Sequence, residues 1–231
     1  MIHIVDRFDV PWSGSALSAI ALHKLLSRDA EACLWSPAKP HASYHTSRIR
    51  IIEAGDLPHG GTLIIHGSHF GLGEWVNHAT AQRVILLCNV HMPTQLYDTI
   101  SRIRSVGLPE PHLVFRSKAL REQAALDGVI EPPLVDIELF WPTAVAQNEA
   151  FTIGRMSRDI LGKHSEDDLS LYRMLAQSGC RVRIMGGTCL DEHIGLDQGG
   201  IELTAAGYLP AQQFLQGLDC FFYRTGALEE A

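Results

Sequence analysis

Short apolar runs alternate with amphipathic stretches from one end of the chain to the other. Runs of strand length fall at residues 2–5, 63–66, 84–90, 113–115, 151–153, 182–185 and 220–223. Between them, apolar positions recur at helical spacing over residues 15–27, 96–106, 118–126, 166–178 and 210–217. Strands that alternate with helices predict an α/β fold with parallel sheets. No internal repeat and no low-complexity tract interrupts the pattern.

The most informative stretch is residues 151–190. Phe151-Thr152-Ile153 predicts a short strand that breaks at Gly154; Arg155 follows at once, then a polar loop carrying Lys163. Leu169, Leu171, Tyr172, Leu175 and Ala176 mark a helix that Gly179 stops. A second run, Val182-Arg183-Ile184-Met185, ends in Gly186-Gly187. The order is that of one βαβ unit, with positive charge just beyond the carboxyl end of its first strand. Ligands bind at that place in open parallel sheets. Arginine and lysine there suit a diphosphate, because guanidinium binds it bidentately and ammonium acts as a point charge.

These residues resemble the start of the donor-binding domain of GT-B glycosyltransferases, in the large retaining family that uses nucleotide-sugars. In that family a Gly-Arg pair after the first strand and a lysine a few residues on contact the donor diphosphate. Gly154, Arg155 and Lys163 match those positions, with Asp159-Ile160-Leu161-Gly162 intervening before the lysine. The resemblance implies a GT-B-like fold of two Rossmann-like domains with parallel sheets. An acceptor-side domain would cover residues 1–143 and a nucleotide-sugar-binding domain residues 150–231. The segment from Glu131-Pro132-Pro133-Leu134-Val135-Asp136 to Phe140-Trp141-Pro142 resembles the connector between the two, with Leu134 where the family has glycine. The second domain reads as incomplete, with three strands where a doubly wound nucleotide domain has about five or six. Glu230 (or Glu229) falls where the family's glutamate contacts the donor sugar. The later glutamate, which holds the ribose in that family, has no counterpart, so the sequence is expected to be a fragment, with a degenerate short form as the alternative.

The first domain offers three more candidates. Asp9-Val10-Pro11-Trp12-Ser13-Gly14-Ser15 leads into a helix that Ser13 or Ser15 can cap. Gly14 lets a ligand approach the backbone, and a helix N-terminus favours anions. Family members carry a glycine-rich loop here, near the acceptor and the donor phosphate, and Gly14 is its one representative. His66 and His91 each end an apolar run, at the carboxyl ends of their strands. The family brings a histidine from such a position to the hydroxyls of the sugar. His91, in Asn89-Val90-His91-Met92-Pro93, resembles it and is the first catalytic candidate; His66 is the competitor. For both, a histidine hydrogen-bonded at a loop is the structural alternative. Ser117 is expected to cap a helix, and Arg116 beside it to make a surface ion pair, with a position facing the cleft as the alternative.

Composition narrows the partners. The net charge of −7 speaks against nonspecific nucleic-acid binding, which needs a basic surface, so no nucleic-acid partner is expected. Five cysteines without a CxxC pair suit free thiols in a reducing compartment. No signal peptide precedes the strand at Ile2-His3-Ile4-Val5, and a cytoplasmic location is expected. No apolar run approaches the roughly 18 residues of a membrane helix; peripheral membrane contact and a homo-oligomer stay open. His41 with His45, and His66 with His69, lack a third ligand, and no DxD motif occurs. No metal and no cofactor are expected, the nucleotide-sugar being a substrate. The expected function is transfer of a sugar from a nucleotide-sugar to a glycan, lipid or small-molecule acceptor, retaining by family resemblance and metal-independent. A sugar-nucleotide epimerase and a non-catalytic module are the alternatives.

Overall fold

The computed structural model describes residues 1–11, 13–67, 71–89, 92–141, 149–195 and 199–224. The chain divides into two compact units, Met1–Asp136 and Ile137–Ala231. Residues 142–148, where the expected linker falls, lie outside the described residues.

The first unit runs β1 (Ile2–Val5), α1 (Gly14–Leu26), β2 (Ala32–Ser36), β3 (Arg50–Ile51), β4 (Thr62–His66), β5 (Arg83–Cys88), α2 (Pro93–Ser105), β6 (His112–Phe115), α3 (Lys118–Ala124) and β7 (Val129–Ile130). Its seven strands lie in the order β3-β2-β1-β4-β5-β6-β7, and every neighbouring pair is parallel. Successive strand residues serve opposite faces. Leu63 and Ile65 enter one core cluster with Leu96, Ile100 and Ile103 of α2, whereas Ile64 enters another with Ala16, Ala19 and Leu22 of α1. Both faces are therefore dry, which is why β4 reads as an unbroken apolar run. Small residues on α1 let it lie close to the sheet.

The second unit runs β8 (Thr152–Met156), α4 (Glu166–Gln177), β9 (Arg181–Met185), α5 (Asp191–Ile194), β10 (Ile201–Thr204), α6 (Ala211–Gln216) and β11 (Cys220–Phe221). Its four parallel strands lie in the order β10-β9-β8-β11. That is the order of β3-β2-β1-β4 in the first unit. Each sheet thus reverses direction beside its first strand, and the loops on the two sides of that point part to leave a crevice.

The α/β fold with parallel sheets is as expected; α1, α2, α3, α4 and α6 fall within a few residues of their predicted spans, whereas the four-residue α5 was not expected. Four strands, β2, β3, β7 and β10, escaped the pattern. β3 and β7 have two residues each. β10 is half-buried throughout, and its apolar-polar alternation, Ile201-Glu202-Leu203-Thr204, is only four residues long. β8 is longer than expected and contains Arg155, which the pattern had placed in the following loop.

Gly186 closes the turn after β9 at φ 80°, and a Cβ there would stand 2.1 Å from the Ser157 carbonyl oxygen. Backbone strain and backbone overlap act together. Gly186→Ala should lower the unfolding free energy by about 2–4 kcal/mol, measured by urea denaturation. A loss below about 1 kcal/mol would contradict this account of the turn.

Candidate functional site

In the second unit, the carboxyl end of β8 holds a buried charge cluster. Arg155 is 0% exposed and Asp168 1%. Arg155 Nη1 donates to Asp168 Oδ2 at 2.8 Å, and Nη2 donates to the Lys163 carbonyl. Asp168 lies there because α4 starts with a capping box: Ser165 Oγ accepts from the Asp168 amide, and Asp168 Oδ2 accepts from the Ser165 amide at 3.1 Å. The other carboxylate oxygen accepts from Arg224 Nε at 3.1 Å. Arg224 also donates to Ser165 Oγ at 2.5 Å and pairs with Asp167 at 3.4 Å. One buried carboxylate thus joins a fully buried arginine to one that is half-exposed, at 48%.

The expected donor-side residues converge here with differing roles. A Cβ at Gly154 would overlap Leu218 Cδ2 at 2.4 Å, so close packing accounts for this glycine. Arg155 points inward and is spent on protein partners, holding the backbone of Lys163. Lys163 ends a short 3₁₀ turn, Leu161–Lys163, and its ammonium makes no ion pair among the described residues. His164, 0% exposed, donates from Nε2 to the Gly186 carbonyl at 3.2 Å. Glu230 and Glu229 lie outside the described residues. Arg224 and Asp168 were missed. The signal for Arg224 was available, since it follows the apolar run 220–223 as Arg155 follows its own.

In the first unit, polar side chains gather where the sheet order reverses, beside a cavity of about 390 Å³. Asp6, 0% exposed, follows β1, and His66, 1% exposed, ends β4. The hydrogen directions follow from the two ends of the network. Arg116 can only donate, and its Nη2 lies 3.0 Å from His66 Nε2, so that nitrogen accepts and the ring hydrogen sits on Nδ1. Nδ1 faces Asp6 Oδ2 and Ser15 Oγ, each at 3.2 Å. Ser15 gives its own hydrogen to Asp6 Oδ2 at 2.7 Å and therefore accepts from Asn89 Nδ2 at 3.2 Å. Asn89 Oδ1 is left buried with no partner among the described residues. Both nitrogens of His66 are engaged, which makes it a link that positions its neighbours.

Ser13 caps α1, accepting from the Ala16 amide at 3.1 Å, which frees Ser15 for Asp6. Gly14 lines the cavity, and a Cβ there would meet nothing within 4 Å. Ser117 caps α3 as expected. Arg116 departs from expectation. Its side chain is only 6% exposed and lines the cavity instead of pairing at the surface, because β7 and the chain after it fold over it. The Glu131 and Pro132 carbonyls accept from its Nη1 at 3.4 and 3.2 Å. Burial pulls its pKa down, and the Glu131 carboxylate, 3.9 Å away, acts in the opposite sense. His91 lies outside the described residues. Among the described residues no helix is long and apolar enough to cross a membrane.

No family model matches the chain, and no curated protein matches it. Solved structures do. One is an alpha-glucosyltransferase in complex with UDP and a 13-mer DNA containing an HMU base. It is 10% identical, with a TM-score of 0.67, over 97% of this chain and 72% of that one. The crystal structure of TarM matches 69% of this chain and 35% of that one, at 10% identity and a TM-score of 0.46. The chain has the GT-B glycosyltransferase fold. The expectation of no nucleic-acid partner gains nothing from the first of these, which is bound to DNA.

Two outcomes test the described clusters. Removing one partner of the buried pair strands the other charge, so Arg155→Met should cost about 3–5 kcal/mol, and Arg155→Met with Asp168→Leu less than the two single losses combined. Additive losses in urea denaturation would show that the two do not act as a pair. The second concerns acid. Burial is the largest cause that lowers His3 and His164 below the ordinary value of 6.5. With folded values depressed, the unfolded chain binds these protons first. The stability from neutral His3 and His164 is thus complete above about pH 6.5 and falls as pH drops from there through the folded values. Urea midpoints should decline between pH 7.5 and 5, and less steeply in His164→Phe. Equal slopes for the variant and the parent would remove His164 from the account.

Proposed function

We propose that the chain is a glycosyltransferase that moves a sugar from a nucleotide-sugar donor to a glycan, lipid or small-molecule acceptor. The observation that carries the reading is a GT-B fold over nearly the whole chain, with polar and charged side chains gathered at the sheet reversal of each unit. Fold alone does not fix function, so the residues must bear the argument.

The reading puts the nucleotide-sugar on the second unit. Lys163 presents an uncommitted ammonium at the carboxyl end of β8, held by the contact of its carbonyl with Arg155. Negative charge on the departing nucleoside diphosphate is then met by Lys163, and by Arg224 where its exposed edge permits. Arg155 acts on the donor through Lys163, and Gly154 through the packing of β8. With lysine and arginine supplying the positive charge, the transfer is metal-independent in this reading; retention of configuration comes with the family resemblance. His91 is proposed to approach the transferred sugar and Glu230 to bind it.

The test is a melting-temperature and calorimetric survey with the common nucleoside diphosphates, followed by turnover of the matching nucleotide-sugars. One diphosphate should bind, and Lys163→Ala should weaken it by about 1.5–3 kcal/mol, or roughly ten- to hundredfold. Failure of every diphosphate to bind would overturn the reading. Binding with interconversion of the free nucleotide-sugar would favour an epimerase, and binding without turnover a non-catalytic module.

A further inference from the structure

We propose that the cavity of the first unit binds an anionic oxygen group, a phosphate or a carboxylate, on Arg116. The cavity holds about 390 Å³, enough for such a group and part of the molecule that carries it. Arg116 is a cation largely removed from water, at 6% side-chain exposure, in its wall. Protein partners satisfy its hydrogen-bonding directions but hardly its charge. Four of the atoms that accept from it are neutral: the Glu131 and Pro132 carbonyls, Ser18 Oγ and His66 Nε2. Among the described residues Glu131 is the carboxylate within ion-pair reach, and it stands at 3.9 Å with 45% of its side chain exposed. An isolated buried cation is costly, and a matched anion relieves that cost.

Two of the neutral contacts are long, 3.4 Å to the Glu131 carbonyl and 3.3 Å to Ser18, so they yield readily to a charge-assisted bond of about 2.8 Å. The contact with His66 at 3.0 Å is the firm one, and it fixes the plane of the guanidinium through the Asp6-anchored ring. Gly14 and Ser15, the first residues of the 13-residue α1, line the same space. Their helix end adds a favourable dipole for an anion, secondary to the arginine. Gly14 keeps the space open, since a side chain there would project into it without meeting protein atoms.

Phosphate chemistry has two sources here, the nucleotide itself or a separate molecule bearing a phosphate or carboxylate. Anion binding by this cavity stands whether or not a sugar is transferred. The experiment is calorimetry and thermal melting of the full chain with inorganic phosphate and with acetate, against sodium chloride at matched ionic strength. Phosphate or acetate should bind more tightly than chloride. Arg116→Gln should weaken that binding about ten- to hundredfold, with Arg116→Lys in between. If Arg116→Gln fails to fold, Gly14→Leu decides, since it fills the cavity from an ordinary helical position. No advantage of either anion over chloride, or unchanged binding in Gly14→Leu, would overturn the proposal. A uridine diphosphate arm names the source. Competition with phosphate assigns the cavity to the nucleotide, and additive binding to a second molecule; both uphold the anion site.

Discussion

A central parallel strand is dry on both faces, so any polar side chain it carries must find its partner inside the protein. That constraint arranges both units. Their chemistry is pushed to the carboxyl ends of β1, β4, β6 and β8, and once there it is paired. Asp6 is met by His66 and Ser15, and Arg155 by Asp168. A charge left alone at 0% exposure would cost several kcal/mol, more than many folds have to spare. The capping box of α4 is part of the same solution. One aspartate ends the helix, neutralises Arg155 and holds Arg224.

The two clusters differ in what they leave over. In the second unit the Asp168 carboxylate is shared by two arginines, and the half-exposed Arg224 reaches a second carboxylate, Asp167. In the first unit the chain of hydrogen bonds runs from Arg116 through His66 to Asp6, and from Asn89 through Ser15 to the same carboxylate. Its ends are a guanidinium whose carboxylate partner, Glu131, stands 3.9 Å away and an amide oxygen without a partner among the described residues. The histidine joins Arg116 to Asp6 through both of its ring nitrogens.

Element type was legible in the chain where burial coincided with a continuous apolar surface; β2 escaped although Leu34 and Trp35 are buried. Leu63-Ile64-Ile65 and the helix from Glu166 are visible because each packs a continuous apolar surface. β10 was hidden because its alternation covers only four half-buried residues, too few to stand out from a loop. Of the residues expected at the second site, Arg155 and Lys163 do meet at one strand end, whereas Gly154 sits in the middle of β8 against Leu218. The direction of Arg155 was not legible, because it depends on Asp168, which the pattern shows only as helix-opening charge. Arg116 was misjudged for a related reason. An arginine after a short strand looks like surface until a two-residue strand and the prolines after it, which leave no trace in periodicity, fold over it.

The hidden strand has a consequence of its own. β10 is the outer member of its sheet, and an unpaired edge invites a second chain to add to it. Glu202, in the middle of that strand, is bound across to Arg181 and Arg183 on β9 at 2.9 and 3.1 Å. A carboxylate fixed at mid-strand is poor company for an incoming backbone, and the arginines that neutralise it are on the neighbouring strand, not on the edge itself. A fixed charge in the middle of this outer strand thereby works against edge-to-edge association of one copy of the chain with another.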